Sequence, residues 1–314
     1  MATDRVQLGR TPLQVTRLGL GTAPLGGLFE AVTDEEAHRV IEAAWQRGIR
    51  YFDTAPLYGF GLSEQRLGAV LRTKPRDEFV LSTKVGRLLR EGAPPEPGQA
   101  WKGTPPLNPM FDFSYDAVMR SVEESLSRLC MDHVDMLLIH DPDQHYDQAL
   151  SGAYRALDRL RSEGSVKAVG AGMNQWEMLA RFAREADFDC FLLAGRYTLL
   201  DRSGAAELLP LCLERGIAVV AGGVFNSGIL ADPSPNATYN YEPAPTALVQ
   251  RAQQIRATCE RHGVDIKAAA LQFPLRHPGI ASVLTGPRSL DELEENFGLF
   301  QTSIPDELWD ELGR

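Results

Sequence analysis

An acid and a phenol stand five residues apart, Asp53 and Tyr58, in the stretch RYFDTAPLYGFGLSEQRLGAVL that runs from residue 50 to 71. It reads as a strand ending near Asp53 and Thr54, then a turn through Pro56 and Gly59 that carries Tyr58. A helix is expected to start near Ser63, a residue type that caps free helical N–H groups. Lys84 and His140 end two further short apolar runs, and Asn174 follows a third. A buried lysine is costly without a counter-charge, and Asp53 is the expected partner of Lys84. An ammonium about 4 Å from a phenol stabilises the phenolate by about 4 kcal/mol at an effective dielectric of about 20. Tyr58 is therefore expected to have its pKa pulled down toward neutrality and to shuttle a proton, with His140 hydrogen-bonded to the same oxygen. His140-Asp141-Pro142-Asp143-Gln144-His145 contains metal-ligand residue types, but its spacing matches no zinc pattern, and no metal is expected.

These side chains need elements to bring them together. Residues 5–18 alternate around Gly9-Arg10-Thr11-Pro12, as a β-hairpin does. Eight short apolar segments follow at 18–22, 50–53, 79–84, 134–139, 166–172, 188–193, 217–221 and 280–285, separated by helical patterns. Thr33 with Glu36, and Ser289 with Glu292, have capping-box spacing. Short apolar strands alternating with helices imply parallel strands covered on both faces. With no break in composition, the α/β pattern reads as a (β/α)8 TIM barrel forming one domain over 1–314, the alternative being an open doubly wound sheet. In such a barrel the strands' C-terminal ends, where Asp53, Lys84, His140 and Asn174 fall, carry the active site. Loops 85–114 and 225–245 are long enough to be functional.

The chain has 44% hydrophobic and 24% charged residues, enough apolar surface for a large core. Its 32 basic and 42 acidic residues leave −10, which argues against a general nucleic-acid partner. Cys130, Cys190, Cys212 and Cys259 are widely spaced without a C-x-x-C, and read as buried thiols in a reducing compartment. No signal peptide and no membrane span are expected, so the chain reads as cytoplasmic. Gly19-Leu20-Gly21 and Gly170-Ala171-Gly172 lack the third glycine of a dinucleotide fingerprint. Gly286-Pro287-Arg288-Ser289 before a capped helix suits either a phosphate or a plain helix start, with 223–228 as the neighbouring wall.

FDTAPLYG, STK, LLIH and GAGMN, in that order and at strand ends, resemble the aldo-keto reductase superfamily over nearly the whole chain. That resemblance implies a barrel whose bottom is closed by the hairpin, and hydride transfer to or from a nicotinamide bound without a Rossmann domain. It implies Tyr58 as catalytic acid/base, Lys84 and Asp53 as its supporting pair, and His140 as the residue orienting the substrate oxygen. Cofactor contacts are implied for Gly21, Thr22, Asp53 and Asn174, for Ser227 and Gly228 near the pyrophosphate, and for Gly286, Arg288, Glu292 and Asn296 at the adenosine end. Where many NADP-preferring members carry arginine this chain has Glu292, so NAD is favoured over NADP, with use of both open. Ala194 and Gly222 replace a frequent glutamine and a stacking aromatic; Tyr197 and Phe225 are candidates for the latter. Within the superfamily the chain looks most like bacterial L-fucose and D-threo-aldose 1-dehydrogenases. That likeness implies oxidation of the C1 hydroxyl of an aldose (L-fucose, D-arabinose or L-galactose type) to a lactone. A pyridoxal 4-dehydrogenase, a general aldehyde or ketone reductase and a non-catalytic cofactor-binding sensor are the alternatives. Trp101, outside the motif, is expected to stack on a sugar face, and a monomer or homodimer is expected.

Overall fold

The computed structural model describes residues 1–92 and 100–313. Eight parallel strands close a barrel: β1 (Leu18–Gly21), β2 (Tyr51–Asp53), β3 (Val80–Val85), β4 (Met136–His140), β5 (Ala168–Met173), β6 (Cys190–Ala194), β7 (Ala218–Gly222) and β8 (Ile280–Thr285). Consecutive strands pair, and β8 returns to β1. Each strand lies within two residues of its expected span. Their side chains are buried almost throughout, because helices cover the outer face and the barrel fills its own interior. Around them lie α1 (Asp34–Gln46), α2 (Leu62–Leu71), α3 (Tyr115–Leu129), α4 (Arg155–Ser162), α5 (Trp176–Glu185), α6 (Leu208–Arg215), α7 (Thr246–Arg261), α8 (Ile266–Gln272), α9 (Leu290–Phe300) and α10 (Asp306–Gly313).

The N-terminal hairpin pairs Arg5–Gln7 with Gln14–Thr16. Its Leu8, Leu13 and Val15 join Tyr51, Val80, Met136, Leu138, Val220 and Leu284 in one apolar cluster, so the hairpin seals the barrel as expected. In Gly170-Ala171-Gly172 it is the first glycine that packing demands, since a Cβ on Gly172 would make only ordinary contacts. A Cβ on Gly170 would lie 2.1 Å from the Cys190 carbonyl oxygen and 2.8 Å from the Leu138 side chain, so only glycine fits between β4 and β6.

Several local expectations need correction. Ser63 does not cap α2, which Gly61 precedes; its hydroxyl bonds Thr22 Oγ1 at 2.6 Å and Thr54 Oγ1 at 3.0 Å, tying the loop after β1 to the Tyr58 turn. Thr33 and Ser289 cap their helices, but the reciprocal glutamates are used elsewhere: Glu36 accepts from Leu290 N and Glu292 from Arg288 N. Cys130 is exposed, in a left-handed conformation at the end of α3, whereas the other three thiols are buried. The long loop after β3 contains an antiparallel ribbon, Arg87–Arg90 against Asn108–Phe111, hidden in the sequence by its Pro/Gly content.

Candidate active site

At the C-terminal rim of the barrel, β2 and β3 bring Asp53 and Lys84 into a buried ion pair. Lys84 Nζ lies 2.6 Å from Asp53 Oδ2 and 2.9 Å from the Thr54 carbonyl, and Ser82 donates to Asp53 Oδ1 at 2.7 Å. Both side chains are 3% exposed or less, so neither charge is shared with bulk water. Burial pushes the Lys84 ammonium down, but Asp53 and Tyr58 together outweigh it and the net shift is upward.

The Tyr58 turn is held by close backbone contact with the loop after β1. Gly59 has φ of 62°, and a Cβ there would sit 2.1 Å from the Gly26 oxygen; a Cβ on Gly26 would meet the Tyr58 carbonyl carbon at 2.6 Å. Two glycines face to face let the turn press inward. This places the Tyr58 ring 4.5 Å from Lys84 Nζ and edge-on to the His140 ring, with centroids 5.6 Å apart. The acid, phenol, ammonium and imidazole thus converge, although they come from three strand ends.

The expected direction of the Tyr58 shift is overturned. Burial pushes its pKa up to about 12, outweighing the Lys84 charge, while Asp53 adds to the rise. The carboxylate that neutralises Lys84 also cancels much of the pull that the cation alone exerts. His140 moves well down, through burial first and then the positive charges of Arg87 and Lys84, so its imidazole is neutral at physiological pH. Its Nδ1 is buried with no hydrogen-bond partner.

The rim around Tyr58 is aromatic. Trp101 lies 5.8 Å from the Tyr58 ring and 6.5 Å from Phe60, and its segment is pinned by Phe29 N to Ala100 O and Lys102 N to Gly27 O, both 2.8 Å. Phe29 meets Tyr241, from the segment after β7, at 5.7 Å. The sequence reading did not single out Phe29, Tyr241, Arg87 or Asp141. Asp141 stood in the string considered for metal, where its place directly after His140 was the available signal. His145 stacks on Phe111 at 5.3 Å, and among the described residues no group of three or more His, Cys, Asp or Glu could hold a metal ion.

The residues expected at a nicotinamide cofactor are distributed along the same rim. Asn174 directly follows β5, half-buried, with no protein hydrogen bond to its amide among the described residues. Asn226 and Ser227 are left-handed and lead into Gly228, where a Cβ would face open space, so a ligand can approach this turn closely. These features fit the cofactor. Others are used internally: Thr22 donates to the Asp53 carbonyl at 2.9 Å, and a Cβ on Gly286 would meet Pro24 at 2.8 Å, so Gly286 seats the loop after β1. Gly21 is half-buried beside Thr285, and Asn296 is buried on α9. Arg288 bonds Glu292 at 2.9 Å and reaches Glu30 at 3.4 Å. Tyr197, considered as a nicotinamide-stacking ring, packs on Phe273 and His277 instead.

Comparison with known proteins shows the family. The aldo/keto reductase family profile matches residues 17–313. The chain is 46% identical to a D-threo-aldose 1-dehydrogenase of a Pseudomonas species, over 96% of this chain and 94% of that one. It is 44% identical to a pyridoxal 4-dehydrogenase of Microbacterium luteolum, over 98% and 96%. The solved aldo-keto reductase AKR11C1 from Bacillus halodurans, in its holo form, superposes with a TM-score of 0.80 at 25% identity, covering 99% and 95%. No helix among the described residues is long and apolar enough to cross a membrane. A buried Asp–Lys pair beneath a rim tyrosine, a neutral histidine beside it and relatives matched end to end lead to one conclusion: the chain belongs to the aldo/keto reductase family and is a nicotinamide-dependent oxidoreductase of small molecules.

Proposed function

We propose that this protein, acting as one barrel domain over residues 1–314, oxidises the C1 hydroxyl of an aldose to the lactone, with Tyr58 as general base. The observation that carries the reading is the convergence of Tyr58 on Lys84 and His140 at an aromatic rim. The Tyr58 oxygen takes the proton of the C1 hydroxyl, and Lys84, fixed by Asp53, stabilises the phenolate. Neutral His140 hydrogen-bonds the same substrate oxygen and orients it. A nicotinamide, when bound, supplies the hydride acceptor at its C4. The Asn174 amide and the turn at Ser227–Gly228 would hold that cofactor, with Gly21, Thr22, Gly286 and Asn296 shaping its groove. Trp101, held beside Tyr58, offers a flat face to the apolar side of a sugar ring.

NAD is the favoured cofactor. The Arg288 guanidinium is matched by two carboxylates, Glu292 and Glu30, and Glu36 occupies the first N–H of α9. A 2′-phosphate brought here meets net negative charge, whereas a ribose hydroxyl can donate to Glu292.

The pyridoxal 4-dehydrogenase relative at 44% identity supports a second reading, since the same aromatic rim suits a flat pyridine. Initial rates on L-fucose, D-arabinose, L-galactose and pyridoxal, each with NAD⁺ and NADP⁺, separate the two. Aldose oxidation with NAD⁺ is expected. Tyr58→Phe is expected to lose roughly 10²–10⁴-fold in kcat while binding cofactor normally in a fluorescence titration. Undiminished turnover in that variant would end the assignment of Tyr58.

A further inference from the structure

The residue following His140 stands in an unusual conformation. Asp141 has φ of 41°, a left-handed backbone that non-glycine residues adopt rarely and that Asn and Asp tolerate best. Its N–H is fixed to the Gly172 carbonyl at 3.0 Å, so the conformation is built into the end of β4. It turns the carboxylate back toward its neighbour: Asp141 Oδ2 lies 3.5 Å from His140 Nε2. The same oxygen lies 3.4 Å from the Arg87 guanidinium, which is buried and packed 4.5 Å over the Phe111 ring. Arg87 is set by Gly86, at φ of 102°, where a Cβ would strike the Phe113 ring at 2.0 Å. The Asp141 side chain is 25% exposed against 7% for His140, so a carboxylate oxygen faces the mouth just outside the imidazole.

We infer that Asp141 is a substrate-specificity residue that accepts a hydrogen bond from the hydroxyl on the carbon next to the reacting one, with Arg87 as the positioning residue that holds it. This rests on the aldose reading above. If His140 holds the oxygen of C1, an acceptor a single hydrogen-bond length further along the rim is spaced for the neighbouring hydroxyl of the same ring. The Asp141 charge also adds a small upward push to the pKa values of Tyr58 and Tyr241, after burial in both cases.

The test is a ratio. D-arabinose and 2-deoxy-D-ribose differ only in the C2 hydroxyl, so the quotient of their kcat/KM values reads the contact directly. The native enzyme is expected to prefer D-arabinose, and in Asp141→Asn that preference should fall by roughly ten- to a hundredfold, the range for losing a charge-assisted hydrogen bond. Asparagine keeps the size and tolerates the left-handed backbone, so the variant is expected to fold, and circular dichroism checks this. A quotient unchanged in Asp141→Asn, or a native enzyme indifferent to the C2 hydroxyl, overturns the inference while leaving aldose oxidation intact. A native enzyme that oxidises neither sugar, nor L-fucose or L-galactose, overturns the aldose reading and this inference with it.

Discussion

Replacing Asp53 by asparagine removes the charge opposite Lys84 while conserving shape. With Nζ and Oδ2 2.6 Å apart, the direct attraction is about 6 kcal/mol at an effective dielectric of about 20. Part of that offsets the desolvation of two side chains that are 3% exposed or less. Asp53→Asn leaves an ammonium with the Thr54 carbonyl and no counter-ion, for which the expected loss is about 3–5 kcal/mol. That is a large part of the roughly 5–15 kcal/mol that holds a typical domain together. Lys84→Met should cost a comparable amount by stranding Asp53, whereas the double variant Asp53→Asn/Lys84→Met should lose less than either alone, because no buried charge remains. The cycle is read by urea unfolding at pH 7, and turnover is measured alongside. The double variant should regain stability but not activity, since the cation near Tyr58 is gone. The pH dependence carries a definite sign: Lys84 is raised in the folded state, so the pair's contribution is complete below about pH 10.4 and fades as pH rises through the folded value. Strictly additive single losses, each below about 1 kcal/mol, would refute the coupling and with it the idea that Asp53 fixes Lys84.

The reaction's pH profile follows from the upward shift of Tyr58. Oxidation needs the phenolate, so log kcat/KM for aldose oxidation should climb with pH from 7 toward 10, while reduction by the phenol stays flat between 6 and 9; an oxidation rate falling with pH would contradict this. With its imidazole already neutral, His140 should add no acid limb near 6.5. Glu30→Gln/Glu292→Gln should free Arg288 and lower the KM for NADP⁺ relative to NAD⁺ by about tenfold, and an unmoved ratio would remove both carboxylates from cofactor choice. Trp101→Ala should raise the KM for the preferred aldose by roughly fivefold with little change in kcat, as expected for loss of an aromatic face.

The barrel architecture is legible in the amino-acid pattern alone. Parallel strands buried on both faces must be short and apolar, so each barrel strand announces itself, and a strand's end is also the barrel's mouth. The residue pattern therefore puts Asp53, Lys84 and His140 at one rim, and pairs Asp53 with Lys84 because a buried ammonium needs a counter-charge. What the sequence could not supply was the balance of competing fields. Lys84 alone argues for a lowered Tyr58 pKa; only the packed site shows that burial and the Asp53 charge outweigh it. The same holds for residues whose role depends on partners distant in the chain. Glu36 and Glu292 looked like cap residues of their own helices, and instead bond backbone N–H groups at the start of α9 and just before it. Arg87 and Asp141 are 54 positions apart, and neither has a motif to announce it. Periodicity encodes which face a side chain is on, but a contact between two loops depends on how the barrel closes, which no local pattern records.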